Sequence, residues 1–295
     1  MDFIFENRTY KRLSSSPVAL KAKRVLLGNR RGLKGVRSNV NRVNLEYSKS
    51  INLGDSLSPV VVSWMLARKS IDANKAVTDT KHLMAIGSVA GRGIFDTTIW
   101  GSGVHRHEMI GHIKAQRGIR NCDIRTVRGP ITREVFLSSG YECPLSYGDP
   151  AVLMPLIYPG QSREKRHGVS LVLHHANSPD SLHLPDNCNM LNIKTLDYAT
   201  FIDGILESEL IISSSLHGII LAEAYGVPCV FMCLGKVIED QLMKFEDWYQ
   251  STGRSTIVIT RSLEEALKTT PMVLPDLDAM RKNLIESFPY DLWEA

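Results

Sequence analysis

No apolar run in the 295 residues reaches the roughly 18 that a membrane-spanning helix requires, so no bilayer crossing is expected. The first residues, MDFIFENRTYKR, lack a basic start followed by an apolar stretch, so they do not read as a secretory signal. Cysteine is scarce. There are five, an odd number, with no C-x-x-C pair, which predicts free thiols in a reducing compartment rather than a disulfide framework. G-x-S-x-G, G-x-x-x-x-G-K-[ST] and G-x-G-x-x-G after a strand are all missing, and GRGIF (91–95) has only two glycines. The hydrolase, P-loop and dinucleotide classes therefore lack their signatures. Metal-ligand spacing is missing too. His105 and His107 straddle Arg106 and His174 adjoins His175, but neither pair has a third ligand at a suitable distance, so no metal site and no metal cofactor are expected.

Acid is absent from one segment. Residues 7–45 carry eleven Lys/Arg and no Asp/Glu, whereas residues 46–295 carry 24 basic and 29 acidic side chains, so the net charge of +4 resides at the front of the chain. Such a stretch suits anionic lipid or a phosphorylated ligand, and a solvated basic surface is its plain alternative. Nucleic acid is not expected, because Tyr10 is its only aromatic and stacking platforms are missing.

What is present reads as a soluble globular protein, with 43% hydrophobic and 22% charged residues. The length suits two domains of about 130–150 residues. From residue 50 short apolar runs alternate with amphipathic ones. Strands are expected at 82–90, 96–104, 123–129, 168–175, 189–195, 210–214, 228–233 and 255–260. Helices are expected at 57–68, opened by Asp55 and Ser56, and at 130–140, 200–208, 216–226, 262–270 and 276–288. The Pro/Gly/charge cluster at 155–168 reads as a linker. The expected organisation is α/β: residues 1–155 as one domain, 156–275 as a second, and 276–295 as a helix packing back on the first.

Five short blocks stand at turns and at the ends of expected elements. S-S-S-L-H-G, 213–218, joins an apolar strand to an apolar helix. It offers Ser213, Ser214 and Ser215, the close-approach Gly218, and His217 in the first helical turn, an arrangement that binds anions or simply caps a helix. N-L-G-D, 52–55, places Asn52, Gly54 and the carboxylate of Asp55 at a helix start; Asp55 as a plain cap is the alternative. V-R-G-P, 127–130, puts the guanidinium of Arg128 at a strand end, suited to carboxylate or phosphate. W-G-S-G, 100–103, contributes Ser102 and Gly103, and G-D-P-A, 148–151, contributes Asp149. Glu223 lies six residues after His217, off its helix face but within reach of a ligand above the helix flank.

In this order, from about residue 50 to 233, these blocks resemble the polysaccharide pyruvyl transferase family, and V-R-G-P with S-L-H-G looks most like its bacterial exopolysaccharide members. The resemblance implies two Rossmann-like domains facing across a cleft, similar to GT-B glycosyltransferases. It implies transfer of pyruvate from phosphoenolpyruvate onto two hydroxyls of one sugar as a cyclic ketal, with release of phosphate and no further cofactor. It carries Arg128 over as a donor-binding arginine and His217 as the histidine of an R-L-H motif. Ser215 stands where many members have arginine, so a cation from elsewhere is required, with Lys236, Arg125 and an N-terminal arginine as candidates. The expected roles are His217 as acid, Asp55 at the acceptor hydroxyls, and Arg128 with Ser213 and Ser214 as anion clamp. The expected partners are phosphoenolpyruvate and a glycan acceptor, free or polyprenyl-diphosphate-linked. The expected location is cytoplasmic, at the inner face of an anionic membrane if the basic stretch engages lipid. A GT-B nucleotide-sugar glycosyltransferase and a non-catalytic phospho-ligand or glycan-binding protein are the competing readings.

Overall fold

The computed structural model describes residues 43–48, 51–73, 82–93, 95–106, 108–161, 164–178, 182, 184–185 and 188–293. The basic stretch up to residue 42, and His107, lie outside the described residues.

The first half of the chain builds a four-stranded parallel sheet in the order β1 (Asn44–Leu45), β2 (His82–Met84), β3 (Thr97–Trp100), β4 (Cys122–Thr126). Helix α1 (Leu53–Ala67) follows β1, α2 (Glu108–Gln116) follows β3, and α3 (Pro130–Ser138) follows β4. β2 and β3 are buried along their whole length, as parallel strands covered on both faces should be. The expected strand 82–90 stops at Met84. Beyond it the buried backbone of Ile86 pairs not with a strand but with a side chain, its N–H donating to Ser58 Oγ at 3.2 Å. Gly87 then turns with φ +101, and residues 85–90 become a buried loop at the sheet's carboxyl edge.

The expected linker is only partly one. Pro150–Leu153, just before it, form a buried 3-10 turn, and a short helix, α4 (Met154–Ile157), overlaps its start; residues 158–161 and 164–166 have no regular structure, and β5 begins at His167. The second parallel sheet has the order β6-β5-β7-β8, from β5 (His167–Val172), β6 (Cys188–Met190), β7 (Ser208–Ser213) and β8 (Cys229–Phe231). Helix α5 (Tyr198–Leu206) precedes β7, and α6 (Leu216–Ala224) joins β7 to β8. The strand expected at 255–260 does not form. Thr260 alone bridges to Met232 beside β8; Ile257 and Ile259 pack partly against the core while Val258 between them is 43% exposed, so the alternation places side chains without forming a ladder. Four helices complete the chain: α7 (Lys236–Glu239), α8 (Leu242–Ser251), α9 (Leu263–Lys268) and α10 (Asp278–Glu286).

One continuous core links the sheets, running from Leu57 and Met65 of α1 through Ala151–Met154 to Val172, Ile219 and Phe231. α10 lies against the first sheet. Trp100 Nε1 donates to Leu284 O at 2.9 Å, and beyond the helix Tyr290 OH donates to Met65 O at 3.0 Å. All five cysteines are unpaired. Among the described residues no helix is long and apolar enough to cross a membrane.

Candidate active site

The carboxyl ends of both sheets open onto one cleft of about 160 Å³. In parallel α/β sheets this is where ligands collect. The first sheet contributes Asn52 and Asp55 from the start of α1, Gly87, Ser88 and Arg92 from the loop after β2, and His105 from beyond β3. The second contributes His174 and His175 after β5, and Ser215, Leu216 and His217 at the start of α6. Gln241 and Lys244 enter from the chain around α8.

α1 begins at Leu53, four residues earlier than expected, because the cap is Asn52. Its Oδ1 accepts from Gly54 N at 3.2 Å. Asp55 is therefore not the cap. It is the third residue of the helix, in the first turn, and its carboxylate lines the cleft. Burial raises the Asp55 pKa, opposed by the nearby His217, Arg92, His175 and Lys244. The start of α6 meets the start of α1 edge-on: a Cβ on Gly54 would lie 1.9 Å from His217 Nδ1, so only glycine admits the imidazole there. On the ring's far side Nε2 lies 3.7 Å from Asp149 Oδ2, within ion-pair but not hydrogen-bond range. Neither atom has a hydrogen-bond partner. The other Asp149 oxygen caps the 3-10 turn through Ala151 N at 3.0 Å. Ser215 is the N-cap residue of α6, yet its side chain makes no capping hydrogen bond. The hydroxyl and the first N–H groups of the helix thus remain as donors to an anion.

The cleft wall is cationic. Lys244 is 7% exposed, and its Nζ donates to Gln241 Oε1 at 2.6 Å. Burial, then Arg128 and Arg106, lower its pKa to about 7 against the pull of Asp55. Burial and the Lys244 charge lower His174 to about 3 and His105 to about 4; the same two causes lower His175. These imidazoles are neutral near pH 7, and an incoming anion would favour their charged forms. Among the described residues no three His, Cys, Asp or Glu side chains are grouped as a metal site.

Of the side chains singled out from the sequence, the structure brings Asn52, Asp55, Ser215 and His217 to the cleft and sets the others behind its wall. Arg128 is fully buried. Nε donates to Asp247 Oδ2 at 3.1 Å, one terminal nitrogen to Ser88 Oγ at 2.8 Å, and the other to Val104 O. It reaches the cleft only through Ser88. Ser102 Oγ donates to Gly87 O at 2.8 Å and holds the loop after β2. Ser213 Oγ lies 2.8 Å from Ser215 O, and Ser214 Oγ accepts from His174 N at 2.8 Å; both brace the turn from inside. Gly103 and Gly218 are packing positions, where a Cβ would lie 2.4 Å from Arg128 Cζ and 2.4 Å from Ser213 Oγ. Glu223 is buried in an ion pair with Arg254 at 2.6 Å and a hydrogen bond from Trp248 Nε1 at 2.8 Å. Two of the three cations suggested for the place of the missing arginine do not arrive: Lys236 pairs with Asp240 at 3.0 Å and Arg125 with Asp123 at 2.8 Å, and the third, an N-terminal arginine, lies outside the described residues. Arg92, His105, His174, His175, Gln241 and Lys244 were not anticipated. In the sequence the two histidine pairs suggest only metal ligation, and the segment holding Lys244 carries no element signal.

Fold and site together define an α/β protein with paired parallel sheets and an anion-receptive cleft at their carboxyl edges. Residues 94–232 match the family model described as polysaccharide pyruvyl transferase, so the resemblance to that family is shown over this span, slightly under half of the chain. The chain is 32% identical over 138 residues to the succinoglycan biosynthesis protein ExoV of Rhizobium meliloti. That stretch is 45% of this chain and spans only 42% of ExoV. It is 25% identical over 222 residues to the uncharacterised protein L143 of Acanthamoeba polyphaga mimivirus, covering 70% of this chain and 73% of that protein. In fold it is similar to a Klebsiella pneumoniae protein of uncharacterised function, with a TM-score of 0.50 at 14% identity over 82% of this chain and 98% of the other.

Proposed function

We propose that the protein transfers the pyruvyl group of phosphoenolpyruvate to two hydroxyls of one sugar in a polysaccharide or its precursor. The observation that carries this reading is the convergence of the α6 start, with Ser215 and His217, on the Asp55 carboxylate in a single cationic cleft. Family and relative support pyruvyl transfer in polysaccharide synthesis. The donor bears a phosphate and a carboxylate, and the cleft offers Arg92, Lys244, four imidazoles and helix N–H groups. The two sheets are taken as Rossmann-like halves in a GT-B-like arrangement with the donor between them; a cleft lined from both supports this.

In the proposed reaction His217 protonates the methylene carbon of the donor, and the double-bond electrons form the new C–H bond. The adjacent carbon becomes oxocarbenium-like, and the first sugar hydroxyl adds to it, giving its proton to Asp55, which burial makes a better base. The C–O bond to phosphate breaks and the electron pair leaves with phosphate. The second hydroxyl closes the ketal and its proton restores His217. The proton held by Asp55 passes to the leaving phosphate. No further cofactor enters this balance. Asp149 holds His217 from behind. Arg128 orients Ser88 and ties α3 to α8, in place of the direct clamp expected of it.

The test is phosphate release from phosphoenolpyruvate against a panel of galactosides and glucosides. Acceptor-dependent release is expected, falling by about 10²–10⁴-fold in His217→Ala, as for loss of a general acid. Release in that variant at the wild-type rate would overturn the assignment. The acceptor is proposed to be cytoplasmic, free or carried on polyprenyl diphosphate, with residues 7–45 drawn to anionic lipid. Co-sedimentation with anionic vesicles should weaken steeply with salt, and salt-indifferent or absent binding would contradict this.

A further inference from the structure

Lys244 is a buried cation without a counter-ion. Its one hydrogen-bond acceptor is the neutral amide of Gln241, and among the described residues no carboxylate lies within ion-pair distance of it. A lysine has three donors, and beyond the Gln241 bond the ammonium meets only the Phe245 ring face, 5.1 Å to the centroid, which is no hydrogen-bond acceptor of an anion's strength. Its surroundings hold one carboxylate among cations and imidazoles. From α1 it faces Asp55, the only carboxylate in the cleft lining; from the loop after β3 it faces His105 and Arg106; from behind, Arg128; and from beyond β5, His174 and His175. Arg128 is neutralised by Asp247, which leaves nothing for Lys244. The α6 start opens into the same cavity, with the uncapping hydroxyl of Ser215. An uncompensated ammonium in such a place costs stability, and a dianion removes that cost.

We propose that Lys244 is the phosphoryl-binding cation of the cleft, gripping a phosphate dianion against the start of α6 and supplying from α8 the positive charge that Ser215 does not. The proposal rests on the functional reading for the identity of the donor, but not for the binding of the anion. The pKa of about 7 has a consequence. Above neutrality the free protein holds mostly the neutral amine, so anion and proton bind together. Affinity then falls roughly tenfold per pH unit above pH 7. His105 and His174 titrate too low to produce this slope.

The experiment is calorimetric titration with sulfate, which stays a dianion throughout, and with phosphoenolpyruvate, from pH 6.5 to 8.5. The wild type should bind both, with proton uptake that rises with pH. Lys244→Met removes a buried charge and should fold. It should bind both anions about 10–100-fold more weakly, the range for a lost charge-assisted hydrogen bond, and without proton uptake. Lys244→Arg, always charged, should bind within a few-fold of the wild type at pH 6.5 and keep that affinity at pH 8.5. The proposal is overturned if the wild type binds neither anion, if Lys244→Met binds them like the wild type, or if Lys244→Arg keeps the wild-type decline with pH. These outcomes are read without turnover. A protein that shows the lysine-dependent binding but releases no phosphate with any acceptor would refute the transferase reading alone.

Discussion

At Gly54 a missing side chain sets the geometry of a present one. The imidazole of His217 occupies the space a Cβ would take. Gly54→Ala should gain helix propensity of about 1 kcal/mol in the first turn of α1. It must also push the ring off its position beside Asp149. The expected outcome is a folded protein whose kcat for acceptor-dependent phosphate release falls at least about tenfold, since misplacement of a reacting group by about 1 Å costs that or more. Circular dichroism with steady-state kinetics checks it, and wild-type kcat would show that the contact does not position His217. The residues legible in the sequence were those whose neighbours announce a strand end, such as Ser215 and His217 between two apolar runs. Asp55 was legible as a carboxylate at a helix start, but its freedom was not, because that depends on Asn52 taking the cap. Arg128 was legible as important and misplaced in role: nothing in V-R-G-P announces that Asp247, 119 positions on, takes its Nε while Ser88 and Val104 take its terminal nitrogens.

At the scale of elements, α8, like α2 (Glu108–Gln116), is a helix that sequence periodicity did not disclose. LMKFEDWYQS mixes charged and aromatic residues, and its Lys244 and Asp247 are buried only because the helix docks between the halves of the molecule. Asp247 accepts from Arg128 Nε and from both Thr132 N, at 2.9 Å, and Thr132 Oγ1, at 2.6 Å, so it holds the start of α3 as well. A carboxylate at a helix N-terminus is favoured by the helix dipole. Asp247→Ala should leave Arg128 as an uncompensated buried charge and cost about 3–5 kcal/mol. Urea denaturation checks this, and a loss below about 1 kcal/mol would mean that Arg128 finds another partner. The strand expected at 255–260 failed for the opposite reason: its alternation is real, but the surface beside β8 accepts only Thr260. Pairing is a property of two segments, and a single sequence shows one.

At the scale of the whole molecule, alternating strands and helices made the α/β class and the parallel sheets legible. The shared core was not, because it runs through Ala151–Met154, which in the sequence follow a turn signal, Gly148–Pro150, and carry no expected element. That core and α10 bring the two carboxyl edges to one cleft, and the account stands on what the cleft does. The most direct measurement follows 2-¹³C-labelled phosphoenolpyruvate by NMR in the presence of protein and glycan acceptor. The enol carbon signal should be replaced by that of a quaternary ketal carbon coupled to the acceptor, in step with phosphate release. A labelled carbon that stays an enol, or appears only as free pyruvate, in every acceptor mixture would contradict the proposed transfer.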